Sequence, residues 1–229
     1  MLLLRKVNCV QGETMIVSAG GSACTQSSIA EKLEKPTGNR GRGRKKNNEL
    51  RSREYLVERE VSALMDAARK IGRHCHRDAT FILVVFSHGL RVSEAIALRW
   101  DQIDLEQGLI HVRRAKRGTP SVHPLRSLEI PALRELRRKY PNSPYVFLTE
   151  RQGPMTVSTV QKIVTRAGRA AQFSFPVHPH MLRHAIGFKL ANDGRDTRAI
   201  QHYLGHRNIQ HTVRYTELSA GRFKGFWSD

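Results

Sequence analysis

The stretch HPHMLRHAIGFKLANDGRDTRAIQHYLGHRNIQHTVRY (residues 178–215) sets His180, Arg183, His184, His206 and a terminal Tyr215 among apolar residues at helical spacing. At 100° per residue, a helix starting near Pro179 carries residues 180, 183, 184 and 187 within roughly a third of its circumference. His180, Arg183 and His184 then share one face, with Gly187 beside them leaving room for close approach. Met181, Leu182, Ala185, Ile186, Phe188 and Leu190 turn toward a core. Asp196 is placed to cap a second helix, Gly205 stops it, His206 falls in the following turn, and 209–215 reads as a last short helix ending on the tyrosine. Taken singly, each histidine is more often a hydrogen-bonded core residue than a catalyst. The His180-x-x-x-His184 spacing also suits two zinc ligands, but the glutamate of H-E-x-x-H is absent and Arg183 would repel a cation, so no metal is expected.

Upstream, order is expected to begin near Arg53. In EYLVEREVSALMDAARKIG the apolar Leu56, Val57, Val61, Leu64, Met65 and Ala68 recur at three- and four-residue steps, which predicts an amphipathic helix ending at Gly72. The next helix, RDATFILVVFSHG, is apolar nearly all round and so is expected to be buried. Gly89 ends it, and Ser93 is expected to cap the following run AIALRW, which puts Arg91 in the turn between two packed elements. Arg91 there reads either as a stiffened anion clamp or as a surface partner of Glu94. Over 101–125 the period changes to alternation, with Ile103/Leu105, Ile110/Val112 and Val122 on alternating positions and turn signals at 106–108 and 116–118. A small antiparallel sheet with Lys116 at a hairpin tip follows from that pattern. Residues 128–140 and 157–171 read as basic helices, and 145–148 as a short strand. The fold class is therefore α+β, mainly helical with one small antiparallel sheet.

Residues 1–50 show no sustained period and read as a flexible basic arm, leaving 51–229 as the folded domain. RGRGRKK (40–46) concentrates Arg40, Arg42, Arg44, Lys45 and Lys46 around two glycines, as a segment lying on phosphates would. The whole chain shares that sign: 39 Lys and Arg face 20 Asp and Glu, a formal charge of +19, which attracts polyanions. No apolar run reaches 18 residues, and polar Asn8, Gln11 and Glu13 interrupt the leading leucines, so neither a membrane span nor a secretory signal is expected. The cysteines, Cys9, Cys24 and Cys75, are widely spaced without C-x-x-C, as suits a reducing cytoplasm.

Five separated motifs occur in order: Gly-Leu-Arg91-Val-Ser-Glu94, the hairpin Lys116, His180-Met-Leu-Arg183-His184, Leu-Gly-His206 and Tyr215. Together they resemble the tyrosine recombinase (phage integrase) family over about residues 53–229, and the continuation TELSAGRFKGFW is most similar to the short recombinases that invert fimbrial phase switches. The resemblance implies the family's catalytic domain and site-specific DNA recombination (integration, excision or inversion) through a covalent 3′-phosphotyrosyl intermediate, without a cofactor. It implies that Arg91, Lys116, His180, Arg183 and His206 form the catalytic cationic set, that Tyr215 is the nucleophile, and that Glu94 supports the site. His184 would orient the helix face without touching DNA. Expected partners are double-stranded DNA bearing specific sites, a homo-tetramer on that DNA and accessory DNA-bending proteins, with a nucleoid-associated place in the cytoplasm. Longer members carry a helical domain that closes a clamp around DNA, where this sequence has the basic arm. Phe223, Phe226 and Trp227 read either as anchors on a neighbouring subunit or as packing within the chain. Two other functions share these residues: a DNA-binding regulator that has lost catalysis, and a topoisomerase acting within one molecule.

The chemistry explains the residue types. A phenol has a pKa near 10, so roughly one in a thousand is ionised at neutral pH, a deficit of about 4 kcal/mol. Two arginines and His206 on the non-bridging oxygens would stabilise the charge that develops during attack. His180 would accept the tyrosine proton and Lys116 would protonate the departing 5′ oxygen.

Overall fold

The structure is a computed structural model that describes residues 53–115 and 118–217, all within one compact unit. Lys116, the basic arm including Arg40, Arg42, Arg44, Lys45 and Lys46, and the aromatics Phe223, Phe226 and Trp227 lie outside the described residues. The described chain runs α1 (Glu58–Lys70), α2 (Cys75–His88), α3 (Val92–Ile96), a 3₁₀ turn (Trp100–Gln102), β1 (Ile103–Asp104), β2 (Leu109–Val112), β3 (Ser121–Pro124), α4 (Glu129–Lys139), α5 (Val157–Ala170), α6 (His180–Asn192), α7 (Thr197–Leu204) and α8 (Gln210–Glu217). The architecture is α+β and mostly helical.

The centre is α2, whose residues from Arg77 to His88 are all buried because its sequence offers no polar face. It packs against α1, α4 and α6. Phe81, Ile82, Val84 and Val85 are fully enclosed, and each such side chain contributes about 1.5–3 kcal/mol through removal from water. Its C-terminus is set by Gly89, which takes a left-handed φ of +57°. A Cβ at that position would lie 2.5 Å from Leu204 Cδ2, so α7 approaches closely only because the side chain is missing.

The three strands form one antiparallel sheet in the order β1-β2-β3. Ile110 pairs with His123 and His111 with Val122. This register turns His123 inward and leaves Val122 55% exposed, the reverse of the apolar-inward expectation for Val122. Buried His123 is instead satisfied by polar neighbours, with Nδ1 3.2 Å from His88 Nδ1, Nε2 2.8 Å from Ser121 Oγ, and its ring stacked on Tyr203 at 4.0 Å.

Three further expectations are corrected. Ser93 does not cap α3: the helix starts one residue earlier, and Glu94 Oε2 accepts from the Arg91 backbone N–H at 2.9 Å, satisfying that free donor. The helix does not continue through AIALRW, because Leu98 and Trp100 are drawn into backbone hydrogen bonds with Val146 and Pro144. Residues 145–148 form no strand beyond single bridges at Tyr145 and Leu148. Val146, Phe147 and Leu148 are buried in succession, which an alternating strand with one wet face does not allow. By contrast, α1, α2, α5, α6, α7 and the stops at Gly72, Gly89 and Gly205 fall where the periodicity and glycines place them.

Candidate active site

Three arginines gather on one carboxylate. The left-handed turn at Gly89 puts the buried His88 and Gly89 carbonyls at the C-terminal end of α2, and α7 ends nearby with the Tyr203 and Leu204 carbonyls. Helix C-termini attract cations. Arg183, fixed on α6 and 2% exposed, donates through Nη1 to Gly89 O and through Nη2 to Leu204 O at 2.7 Å. Arg114, which follows β2, donates to His88 O at 3.3 Å, Gly89 O at 3.4 Å and Tyr203 O.

Glu94 lies between them. Its carboxylate accepts from Arg91 Nη1 at 2.7 Å, Arg114 Nη1 at 3.1 Å and the Ala115 N–H at 3.0 Å, while Arg183 Nη1 stands 3.9 Å away. Burial pushes the Glu94 pKa up, but hydrogen bonds from Arg91 and the charge of Arg114 more than reverse this and hold it below its ordinary value. Burial, with Arg91 and Arg114 adding repulsion, brings Arg183 down to about 10, so it stays charged at neutral pH. Three guanidiniums and one carboxylate leave two uncompensated positive charges beside half-buried Arg91. A phosphodiester supplies the opposite sign.

The tyrosine packs along the same face of α6, one turn beyond Arg183. Tyr215, only 2% exposed, lies against Gly187, where a Cβ would come within 2.7 Å of ring atoms Cε2 and Cζ. Its ring meets Phe188 edge-on at 5.0 Å, and its hydroxyl is 2.8 Å from His184 Nδ1. Burial pushes the Tyr215 pKa up, with Arg183 pulling the other way. Burial, and then His180 and Arg214, hold His184 down to about 3. The proton therefore stays on the phenol, whose hydroxyl is hydrogen-bonded to a neutral imidazole. Tyr215 is not ionised in this arrangement.

His206 bridges the two halves. It follows Gly205 in the turn after α7, and its ring lies 6.2 Å from that of Tyr215 at an interplanar angle of 21°. Burial, followed by Arg183 and Arg91, lowers its pKa to about 3. Its Nδ1 is 2.8 Å from the hydroxyl of Thr212, which is fully buried. In the tautomer that accepts from that hydroxyl at Nδ1, the imidazole proton is on Nε2, where it can serve as a donor.

Arg91, Glu94, Arg183, His206 and Tyr215 are thus brought into one chain of contacts. His180 is exposed at the start of α6, with its ring edge-on to His184 at 4.5 Å. The tyrosine hydroxyl bonds to His184, which the sequence reading held to be only an orienting residue. The space left by Gly187 is filled by Tyr215. Arg91 pairs with Glu94, but Glu94 is buried and the pair rims the arginine cluster. Arg114 and Thr212 were missed. Arg114 follows Ile110 and Val112 at the next inward position of the alternation, and Thr212 precedes Tyr215 by three residues, on the same helical face.

Residues 54–222 match the Phage integrase family. The chain is 43% identical over 182 residues to the type 1 fimbriae regulatory protein FimB of Escherichia coli K12, covering 77% of this chain and 90% of that protein. It is 41% identical over 184 residues to the type 1 fimbriae regulatory protein FimE of the same strain, covering 78% and 92%. The crystal structure of XerA recombinase superposes with a TM-score of 0.66 at 27% identity, over 75% of this chain and 63% of that one.

Proposed function

Because the chain belongs to the phage integrase family, we propose that Tyr215 attacks a DNA phosphodiester held by Arg91, Arg183 and His206. The protein is a tyrosine-type site-specific DNA recombinase. The observation that carries the assignment of residues is the shared carboxylate. Glu94 gathers Arg91 and Arg183, and Arg183 in turn bonds Leu204 O, two residues before His206, whose ring faces Tyr215.

In the proposed reaction the two arginines and His206 Nε2–H bind the non-bridging oxygens. The Tyr215 oxygen bonds to phosphorus, the bond from phosphorus to the 5′ oxygen breaks, and Lys116 gives that oxygen a proton. The phenolic proton passes to His180 once the hydroxyl has left His184, whose lowered pKa makes it a poor base. The 3′-phosphotyrosine conserves the bond for attack by another 5′ hydroxyl. Fixed cations do the work that a metal does in other phosphoryl transfers.

The partner is DNA bearing specific sites. On this reading identical protomers act as a tetramer on that DNA with accessory DNA-bending proteins, and the basic residues Arg40, Arg42, Arg44, Lys45 and Lys46 track its phosphates. The folded domain occupies 51–229 and the arm 1–50. Likeness to the fimbrial proteins FimB and FimE favours inversion over integration or excision. Among the described residues no helix is long and apolar enough to cross a membrane, and we place the protein with the nucleoid in the cytoplasm. A nicked suicide substrate containing the site tests the assignment. Wild type should accumulate a covalent protein–DNA adduct, and Tyr215→Phe should bind the same DNA without forming any; equal adduct from both would overturn it.

A further inference from the structure

Thr212 has no exposed surface and lies on the inner face of α8 with Tyr215. A threonine inside a helix ordinarily gives its hydroxyl proton to the carbonyl three or four residues back. Thr216, on the same helix, does this, donating to Val213 O at 2.9 Å. Thr212 does not: among the described residues its hydroxyl has one hydrogen-bond partner, His206 Nδ1 at 2.8 Å. A buried hydroxyl is thus withheld from its own helix and spent on a histidine of the proposed site.

The main chain of His206 is fixed by other groups. Its N–H donates to Gln201 O at 3.0 Å, and its carbonyl accepts from Gln201 Nε2 at 3.0 Å. What is left to set is the imidazole and the position of its one proton, since burial and the charges of Arg183 and Arg91 resist a second. The pair has two arrangements. With the proton on Nδ1, the imidazole would donate to Thr212 Oγ1, and the buried hydroxyl's own proton would find no acceptor among the described residues. With the proton on Nε2, the hydroxyl donates to Nδ1 and every buried proton is used. A buried donor left unbonded costs more than a hydrogen bond contributes, which favours the second arrangement.

We propose that Thr212 is a positioning residue that donates to His206 Nδ1 and so keeps the imidazole proton on Nε2, the atom that serves the phosphate oxygen. This rests on the reading of His206 as a phosphate donor. Phosphodiester oxygens only accept, so the opposite tautomer would set two acceptors against each other. Fully buried itself, Thr212 acts on the reaction through the histidine alone. The helix that carries Tyr215 therefore also presents, three residues earlier, the hydroxyl that fixes the donor.

Two measurements on the full chain test this. The first is long-range proton–nitrogen NMR on protein carrying isotopically labelled histidine, with the His206 signals identified by their loss in His206→Gln. Wild type should show a protonated Nε2 and a bare Nδ1. Thr212→Val, which keeps the shape and removes the hydroxyl, should lose this single tautomer, and Thr212→Ser should restore it. A wild-type proton on Nδ1, or unchanged His206 signals in Thr212→Val, would overturn the proposal. The second is single-turnover cleavage of a nicked suicide substrate containing the site. Thr212→Val should slow cleavage about 10- to 100-fold, part of the roughly 100- to 1000-fold that a whole preorganised donor supplies. DNA affinity should stay within about threefold, as should cleavage by Thr212→Ser. In a His206→Ala background, Thr212→Val should cost no more than about threefold further, because nothing is left to position. An equal loss in both backgrounds would mean that the hydroxyl acts elsewhere, and the proposal would fall while the reading of His206 stands. If His206→Ala itself cleaves at the wild-type rate, that reading falls and takes the proposal with it.

Discussion

The two halves of the site are built on opposite plans. On one, Arg183, Arg114 and Arg91 are tied to Glu94 and to carbonyls at the ends of α2 and α7, so the cations are held in place before any anion arrives. On the other, Tyr215 is folded against Gly187 and Phe188 with its hydroxyl on a neutral histidine, in an environment that raises its pKa. The difference teaches that the arginine half is preorganised and Tyr215, the proposed nucleophile, is stowed. Preorganisation removes reorganisation cost at the moment of reaction, whereas stowage keeps a phenol unreactive until it is drawn out. The lever between the halves is short: Arg183 Nη2 bonds Leu204 O, and two residues later His206 faces the tyrosine ring.

This contrast can be broken most severely on the cationic side. Arg183→Gln removes a preorganised donor, so adduct formation should fall by roughly 100- to 1000-fold. The buried Glu94 keeps Arg91 and Arg114, so the fold should survive. Single-turnover cleavage measured beside DNA affinity checks this; a loss confined to affinity would mean that Arg183 only binds.

On the tyrosine side a smaller and opposite effect is expected. Gly187→Ala places a methyl group 2.7 Å from the Tyr215 ring, an overpacking that costs about 1–3 kcal/mol. It should expel the ring without touching the arginines. Tyr215 should become accessible to a phenol-selective reagent while cleavage is retained or increased. A loss of cleavage with Tyr215 still protected would contradict the account of stowage.

The smallest effect is one of pH. Burial holds His123, His184 and His206 neutral in the folded state down to about 3. In the unfolded chain each takes a proton near 6.5. A lowered histidine pKa therefore contributes stability that is fully present above pH 6.5 and is lost as the pH falls toward 3, because the unfolded chain binds the extra protons. Denaturant midpoints should decline from pH 6.5 to 5, and His184→Gln should flatten that slope. An unchanged slope would show that His184 is already protonated in the fold.

Much of this organisation was legible in the sequence because it is local. Helical spacing around Leu182 and Ala185, the glycine stops at 89 and 205, and the Asp196 cap each depend on a few neighbouring residues, and the structure keeps them. What was hidden depends on register or on distant partners. Only strand pairing decides that His123 faces inward and Val122 outward. Arg114 looked like one more basic residue in a basic chain until its burial showed otherwise. The choice of His184 over His180 as the tyrosine's partner follows from where α8 crosses α6, which no spacing within either helix reveals.

Among the proposed roles, that of Tyr215 decides the rest, and attachment can be read directly. After a nicked suicide substrate is cleaved, the protein is digested and the peptide carrying the residual nucleotide is sequenced by mass spectrometry. The account predicts a single 3′-phosphotyrosyl linkage at Tyr215. A linkage at Tyr203, or at any other residue, would contradict it.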